Sequence, residues 1–545
     1  MTRSGPAAAS ADGWDVILES VAIESRQMSP RSVAKPKGRR LVGLLLLLSL
    51  AAYGLGFLHL RADFSGGPAW LDGSGIADEG WYAGGAIHYF VQGHWYLPDV
   101  LNAAVTMPVW PVLLGLWFKI TGVSMLWART WTMVLYGLSL ILFYRVMRRA
   151  RPGRLAALVV LLAEIDPFGY AFNRLAILEP VTILWFMFAL WLAGSAQPRD
   201  WLKQLLLGVV VFLLVLTKFS GVALVPAVLY MMGASWGQRA GNEAERARED
   251  SKLISGRGMG VSLALTLGLP LALWEAYLRI LVLPHAMLDY ALLADMATRH
   301  VALRSLPAAA WGVLRDGLWV SPVLFPLALL ILLLSVVWLR ELWSRPLFGA
   351  AVLAVAGQMA YLGYHGEIAA RSLLPILMPV MMVVGLGVGA VIDRRRLCAK
   401  GSRQDRRMRW MLAVTLLTVV ASLGMMGVQT LEDVLHQEYS YWEAAQGIAA
   451  IVATDGGSRP MLLSDSGDDL TLWTGLPAVS ATRTTHGLDA VLARYQPGWF
   501  AAWPGREDIV IAEVGIRYRM DAVARYRVFD DPKQQTLVLY KLTRR

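Results

Sequence analysis

The sequence predicts a polytopic α-helical membrane protein, of about eleven transmembrane helices, carrying a small C-terminal α/β domain. Three observations predict it. Hydrophobic residues fill 56% of the 545 positions and charged ones only 17%, with a positive mean hydropathy, a balance that excludes an ordinary soluble chain. Apolar runs recur from Leu41 to Val428, and when they are counted through, every strongly basic connector falls on one side. From Gln429 the pattern changes to short apolar stretches separated by turns.

The formal charge of +11 would suit nucleic acid if it were gathered in one patch. It lies instead in short segments between hydrophobic runs, where it sets membrane topology, so no nucleic-acid partner is expected. The single cysteine, Cys398, excludes an intrachain disulfide and a cysteine-cluster metal site. The 22 tryptophans suit long membrane interfaces.

In chain order, residues 1–40 form a polar tail ending in Arg31, Lys35, Lys37, Arg39 and Arg40. No small-residue cleavage site follows, so the run Leu41–Leu60 reads as a retained signal-anchor with the tail in the cytoplasm. Residues 41–428 form the transmembrane domain, with an outer loop at 61–124. In that loop, Trp81–Gln92 and Pro108–Thr121 predict amphipathic helices lying on the membrane surface. The second span, Met125–Tyr144, runs into RVMRRARPGR, an inside signal. Spans three and four, Leu155–Phe172 and Ile177–Leu192, meet outside at Asn173 and Arg174. Spans five and six, Leu205–Phe219 and Val222–Met232, are a short pair hinged at Thr217–Gly221. A charged inner loop at 238–257 precedes span seven, Gly260–Leu283, and a long outer loop at 284–320. Span eight ends at Trp338, span nine is Leu347–Tyr364, and span ten, Leu373–Ile392, leads to the most basic loop of the chain. Span eleven, Met411–Val428, delivers the C-terminus outside. Within 429–545, MLLSD, AVSAT, GWFAAW and TLVLYKL read as strands, and DDLTLWTG and GLDAVLARY as helices.

The stretch from Gly75 to Pro98 is polar, punctuated by glycine, and carries the adjacent acids Asp78 and Glu79. A carboxylate there is able to take the proton of an acceptor hydroxyl as a bond forms; a plain solvated loop is the other reading of the dipeptide. Glu179 follows Arg174 by five residues at the outer join of spans three and four. Asp166 and the deeper Glu164 lie near the end of span three, where acids face either a cavity or a structural partner such as Arg174. Lys218 at the outer hinge reads, taken alone, as a snorkelling interfacial lysine. Arg371 follows Tyr364-His365-Gly366-Glu367 and precedes a proline-bearing helix; its guanidinium matches phosphate in charge and fork geometry, or pairs with Glu367. Glu275 and Arg279, one turn apart, read as mutual neutralisation. No glycine-rich nucleotide motif or zinc spacing occurs.

The pattern Asp78-Glu79-x-x-Tyr82-Ala83, then Gly93-x-Trp95-x-x-Pro98, resembles the first outer loop of the C-type (GT-C) membrane glycosyltransferases. It is especially similar to that of the protein O-mannosyltransferases and the lipid A aminoarabinose transferases, and the likeness extends from about Leu41 to Ile392. Mannosyltransferase relatives carry aspartate where this chain has Glu179. The resemblance implies transfer of a hexose or pentose from a polyprenyl-phosphate-linked donor to a lipid, glycan or protein acceptor, by direct displacement with inversion on the non-cytoplasmic face. It implies Asp78 as general base, Glu79 as orienting group or as the base itself, and Glu179 as a second acid. Arg371, Lys218 and Arg174 are then the ligands of the donor phosphate, and Tyr82, Asp166 and His365 position substrate. No obligatory metal is expected, although some members of the superfamily use a divalent cation. The implied setting is a bacterial inner membrane, with membrane lipids around the helices, a cytoplasmic N-terminus and a periplasmic C-terminal domain. Two rival readings stand: a transporter or flippase of lipid-linked saccharides, which needs no outer base, and a C-terminal binding or assembly module on a membrane anchor.

Overall fold

The computed structural model describes residues 37–63, 78–197, 200–244, 256–366, 369–399, 401–455, 460–528 and 536–545. Residues 75–77 of the glycine-punctuated stretch, most of the inner loop 238–257 and Glu367 lie outside them. Helix α1 (Lys37–Leu55) leads to α2 (Glu79–Gln92), α3 (Val109–Thr121), α4 (Met125–Ala150), α5 (Gly153–Glu164), α6 (Pro167–Asn173), α7 (Leu178–Ala193), α8 (Trp201–Thr217) and α9 (Val225–Ala244). Next come α10 (Gly260–Val282), α11 (Met287–Thr298), α12 (Leu306–Val320), α13 (Leu324–Val337), α14 (Pro346–His365), α15 (Leu377–Leu397) and α16 (Arg403–Leu435).

Among the described residues, six helices are long and apolar enough to cross a membrane, or eight if each of two bent pairs counts as one span. Helices α3, α7 and α8 are shorter apolar helices beside them. The span expected at 155–172 is not continuous: α5 and α6 meet at 66°. Pro167 cannot donate a backbone hydrogen bond, and Asp166 caps the new helix by accepting from Gly169 N at 3.0 Å. Helix α15 forms the buried centre of the bundle, as its nearly all-apolar sequence requires. Helix α16 runs past Gln429 to Leu435, so the composition changes inside this helix and not at its end.

Helix α2 does not lie free on the membrane surface. Its residues Glu79 to His88 are buried, apart from Trp81, between α3 and the C-terminal part. Helix α3 keeps the expected two-faced character, with Trp110, Leu114 and Phe118 buried and Val112, Leu116 and Ile120 exposed.

The C-terminal part begins with α17 (Ser440–Thr454), whose N-terminal amides are received by the Asp63 carboxylate: Tyr441 N at 2.8 Å and Trp442 N at 3.3 Å. There follow β1 (Leu462–Ser464), α18 (Gly467–Thr474), β2 (Ala478–Ser480), α19 (Leu488–Tyr495), β3 (Trp499–Ala502), α20 (Asp508–Arg517), β4 (Tyr518–Arg527) and β5 (Thr536–Arg544). The sheet order is β2-β1-β3-β5-β4, with β1 parallel to β2 and β3, and β5 antiparallel to β3 and β4. Strand β4 has no apolar run to announce it. It is an edge strand dominated by exposed polar side chains, and its charges discourage further pairing.

Candidate active site

Asp78 occupies the N-cap position of α2, yet its side chain makes no capping bond. It points to two guanidinium groups. Arg371, from the 3-10 turn Ala370–Ile376, donates Nη2 to Asp78 Oδ2, and Arg483 donates Nη2 to Oδ1 at 2.5 Å. Burial alone would raise the Asp78 pKa, but the charges of Arg371, Arg483 and Lys218 outweigh it and hold the carboxyl below the usual range.

The charges continue beyond Asp78. Arg371 Nε lies 4.0 Å from Glu179 Oε1, which receives Lys218 Nζ at 2.5 Å. Glu179 is fully buried in the first turn of α7, and Lys218 sits where α8 gives way to a 3-10 turn. Among the described residues, the cations Arg371, Arg483 and Lys218 are gathered around the carboxylates of Asp78 and Glu179. Tyr82, one turn along α2, is buried within the field of the same charges, and burial pushes its phenol pKa up.

The neighbouring acid has another occupation. Glu79 is bound by Arg129 through Nε at 2.8 Å and Nη2 at 2.5 Å, and also accepts from Ala176 N at 2.6 Å. Arg129 donates further to the carbonyls of Leu60 and Ala62, and its guanidinium lies over the Trp473 ring. Both side chains are only 2–3% exposed. Adjacent residues at a helix start point in different directions, and here one carboxylate faces the partly open charge cluster while the other joins α2 to Arg129 of α4 and to Ala176. The Glu79 carboxylate is thus engaged by Arg129 and the Ala176 amide and does not face the Asp78 cluster.

Three other expected residues are turned elsewhere. Arg174 donates to Tyr170 Oη at 3.2 Å and to Gln437 Oε1, and stacks on the Tyr170 ring, with no contact to the Asp78 cluster among the described residues. Asp166 is the cap of α6. His365 packs its ring against Tyr361 and Tyr364 at the end of α14, so its contacts are aromatic.

Arg483 is the residue that sequence reasoning missed. Its loop is pinned to the first outer loop by a bridge between Val100 and Thr484, by Leu101 N to Arg483 O at 2.9 Å, and by Thr485 N to Asp99 O at 2.9 Å. Asp289 of α11 holds both sides, through Thr485 Oγ1 at 2.8 Å and Asn102 Nδ2 at 2.7 Å. Trp81 stacks beneath the Arg483 guanidinium at 4.5 Å. The domain itself is seated on α2. Gly80 N donates to Asp469 Oδ1 at 2.7 Å, and His88 Nε2 lies 2.8 Å from Asp468 Oδ1. A Cβ on Gly80 would fall 2.1 Å from Asp469 N, so only glycine permits this approach.

An apolar cavity of about 650 Å³ opens beside the cluster's own helices, lined by Val112, Leu113, Trp185, Phe212, Leu216 and Tyr277 among others. Trp185 shares α7 with Glu179, and Leu216 precedes Lys218 by two residues. Among the described residues, no group of three or more His, Cys, Asp or Glu side chains converges as metal ligands would.

The helical bundle and the C-terminal sheet together have the fold of the C-type membrane glycosyltransferases. The family model for dolichyl-phosphate-mannose-protein mannosyltransferases matches residues 105–243, a segment that contains Glu179 and Lys218. Among solved structures, the chain is similar to ArnT from Cupriavidus metallidurans bound to undecaprenyl phosphate, with 15% identity, a TM-score of 0.55 and coverage of 92% of this chain and 97% of that one. The apo form of that protein gives the same identity and TM-score over 91% and 98%. No curated protein matches. At this identity the comparison shows the fold.

Proposed function

We propose that the chain is a glycosyltransferase that moves a sugar from a polyprenyl-phosphate-linked donor to an acceptor hydroxyl on the membrane face bearing the C-terminal domain. The observation that carries this reading is Asp78 held between Arg371 and Arg483, with Arg371 also facing the Glu179–Lys218 pair. One cluster thus holds a base and a clamp for phosphate. The apolar cavity on α7 and α8 supports a prenyl donor, and ArnT in the similar structure is bound to undecaprenyl phosphate.

In the proposed reaction the donor phosphate enters the cluster and draws the guanidinium forks of Arg371 and Arg483 from Asp78. Losing those cations raises the proton affinity of Asp78, so the base becomes effective when the donor is in place. The acceptor oxygen attacks the anomeric carbon, the carbon–oxygen bond to phosphate breaks, and Asp78 takes the hydroxyl proton. Arg371, Arg483 and Lys218 stabilise the charge on the departing polyprenyl phosphate, and the anomeric centre inverts. Glu179 keeps Lys218 and Arg371 in place and is a positioning residue. The arginine-rich helix ends, such as Arg148–Arg149 of α4 and Arg394–Arg396 of α15, support a cytoplasmic side opposite the cluster, and so a periplasmic C-terminal domain in a bacterial inner membrane.

The test uses the purified protein in lipid nanodiscs with a panel of polyprenyl-phosphate sugars and acceptors. Mass spectrometry follows release of polyprenyl phosphate and gain of acceptor mass. Wild type transfers and folded Asp78→Asn does not. Passage of intact lipid across a sealed bilayer without cleavage would sink the reading in favour of a flippase.

A further inference from the structure

The opposite end of the bundle holds a second cavity, unrelated to the charge cluster. It measures about 610 Å³ and is lined by Trp338, Arg394, Arg403, Gln404, Arg407 and Met408, where α13, α15 and α16 end or begin. Three of its six lining residues are arginines and none is acidic. The surrounding basic residues are largely neutralised. Arg395 and Arg409 approach Asp405 at 3.7 and 3.1 Å, Arg396 lies 3.9 Å from Asp393, and Arg394 itself lies 3.6 Å from Glu341. Arg403 and Arg407 are exposed and pair with no carboxylate among the described residues. Arg407 instead lies 3.8 Å over the Trp338 ring, which holds the guanidinium flat at the pocket wall.

A second observation points the same way. Arg403, Arg407, Trp410, Val414 and Leu417 follow one another at spacings of four, three, four and three residues, so they share one face of α16. Beyond the two arginines this face is apolar and uncovered, with Trp410 73%, Val414 57% and Leu417 71% exposed. From Arg403 to Leu417 the five residues span fifteen positions, roughly 21 Å along the helix. A free phosphate or a soluble nucleotide uses the arginines and has no use for the stripe. A headgroup bearing a phosphate on two acyl chains uses both.

We infer that this pocket is a binding site for an anionic phospholipid, whose phosphate is held by Arg403 and Arg407 beside Trp338 and whose acyl chains lie along the exposed face of α16. The ligand is a structural lipid of the inner leaflet, distinct from any polyprenyl substrate.

The experiment takes delipidated full-length protein in detergent and titrates it with phosphatidylglycerol or phosphatidylcholine of identical acyl chains, reading bound lipid by native mass spectrometry. Wild type is expected to prefer phosphatidylglycerol by about 30-fold, equivalent to about 1 kcal/mol from each arginine. The double variant Arg403→Gln with Arg407→Gln loses that preference. Arg525→Gln, which removes one exposed charge on β4, keeps it. Trp410→Ala, at an exposed position that the fold does not need, binds phosphatidylglycerol several-fold more weakly. An unchanged preference in the double variant, or unchanged binding in Trp410→Ala, overturns the proposal. Displacement of phosphatidylglycerol by inorganic phosphate at equal concentration would make this a phosphate site and overturn the lipid assignment.

Discussion

Asp78 and Arg483 stand 405 positions apart in the chain and are joined by a hydrogen bond of 2.5 Å. The charge cluster therefore spans the junction between the membrane part and the C-terminal domain. Arg371 occupies the other oxygen of the same carboxylate, so the resting site neutralises its own proposed base. On the proposed reaction, the phosphate that needs cations and the base that must shed them exchange partners in one event.

Arg483→Ala is expected to lower sugar transfer by about 100-fold, the scale seen when one preorganised donor to a developing anion is removed. Arg483→Lys, which keeps the charge and loses the fork, gives an intermediate loss. The measurement is the rate of polyprenyl phosphate release under saturating donor. Wild-type rates in Arg483→Ala would show that the C-terminal domain contributes nothing to the chemistry.

The pH profile separates a role in charge exchange from a role in packing. Burial acts to raise the Asp78 pKa, and Arg371 and Arg483 bring it below its unfolded value. A depressed carboxyl contributes stability above its unfolded pKa and loses it as pH falls through the folded one. Removing one arginine raises that folded value, so the acidic limb of kcat/KM, which reports the free enzyme, moves to higher pH in Arg371→Ala or Arg483→Ala. The acidic limb of kcat moves less, because bound donor has already taken the arginines. Equal movement of both limbs would count against the exchange.

The membrane fold was legible because hydropathy is a local property of the chain, and Asp78, Lys218 and Arg371 were legible because charges at helix breaks beside glycine or proline stand out from apolar surroundings. What sequence alone did not reveal was set by partners distant in the chain. Nothing in Asp78-Glu79 says which acid meets Arg129, since that depends on how α2 is rotated against α4. Arg174 is drawn away by Gln437, more than 260 positions later. Arg483 lies in a polar loop with no periodicity, and it reaches the cluster only because Val100 and Thr484 pair across two domains. Strand β4 escaped notice because an exposed edge needs no apolar alternation.

The two adjacent acids should separate cleanly under mutation. Arg129→Ala leaves Glu79 buried and unpaired, and breaking a buried pair in this way costs about 3–5 kcal/mol. The variant should therefore aggregate or melt far earlier than wild type. Asp78→Asn keeps its size but gives up its ion pairs to Arg371 and Arg483 at a partly buried position, so it should melt below wild type yet well above Arg129→Ala while losing transfer. Thermal unfolding of the detergent-solubilised chain with size-exclusion chromatography provides the check. A stable Arg129→Ala with intact transfer would show that Glu79 has no structural role.

Gly80 links the seating of the C-terminal domain to the completeness of the site. Its Cα faces the backbone of Asp468 and Asp469, and an added methyl would stand 2.1 Å from Asp469 N and 2.3 Å from Asp468 C. Backbone atoms cannot swing aside as a side-chain tip can, so Gly80→Ala must lift α18 from α2 or shift α2 itself, at a cost of about 1–3 kcal/mol. Lifting α18 breaks the bond from Gly80 N to Asp469 and moves the Arg483 loop away from Asp78. Transfer should then fall as far as in Arg483→Ala, although Gly80 touches neither donor nor acceptor in the proposed reaction. The displacement can be read independently by oxidative cross-linking of Val100→Cys with Thr484→Cys, which occupy partnered positions in an antiparallel bridge. Cross-linking should be fast on the wild-type background and slow with Gly80→Ala, and once formed it should restore part of the lost transfer by holding the loop in place. Fast cross-linking with full transfer in Gly80→Ala would mean that the domain contact tolerates the methyl and does not control the site.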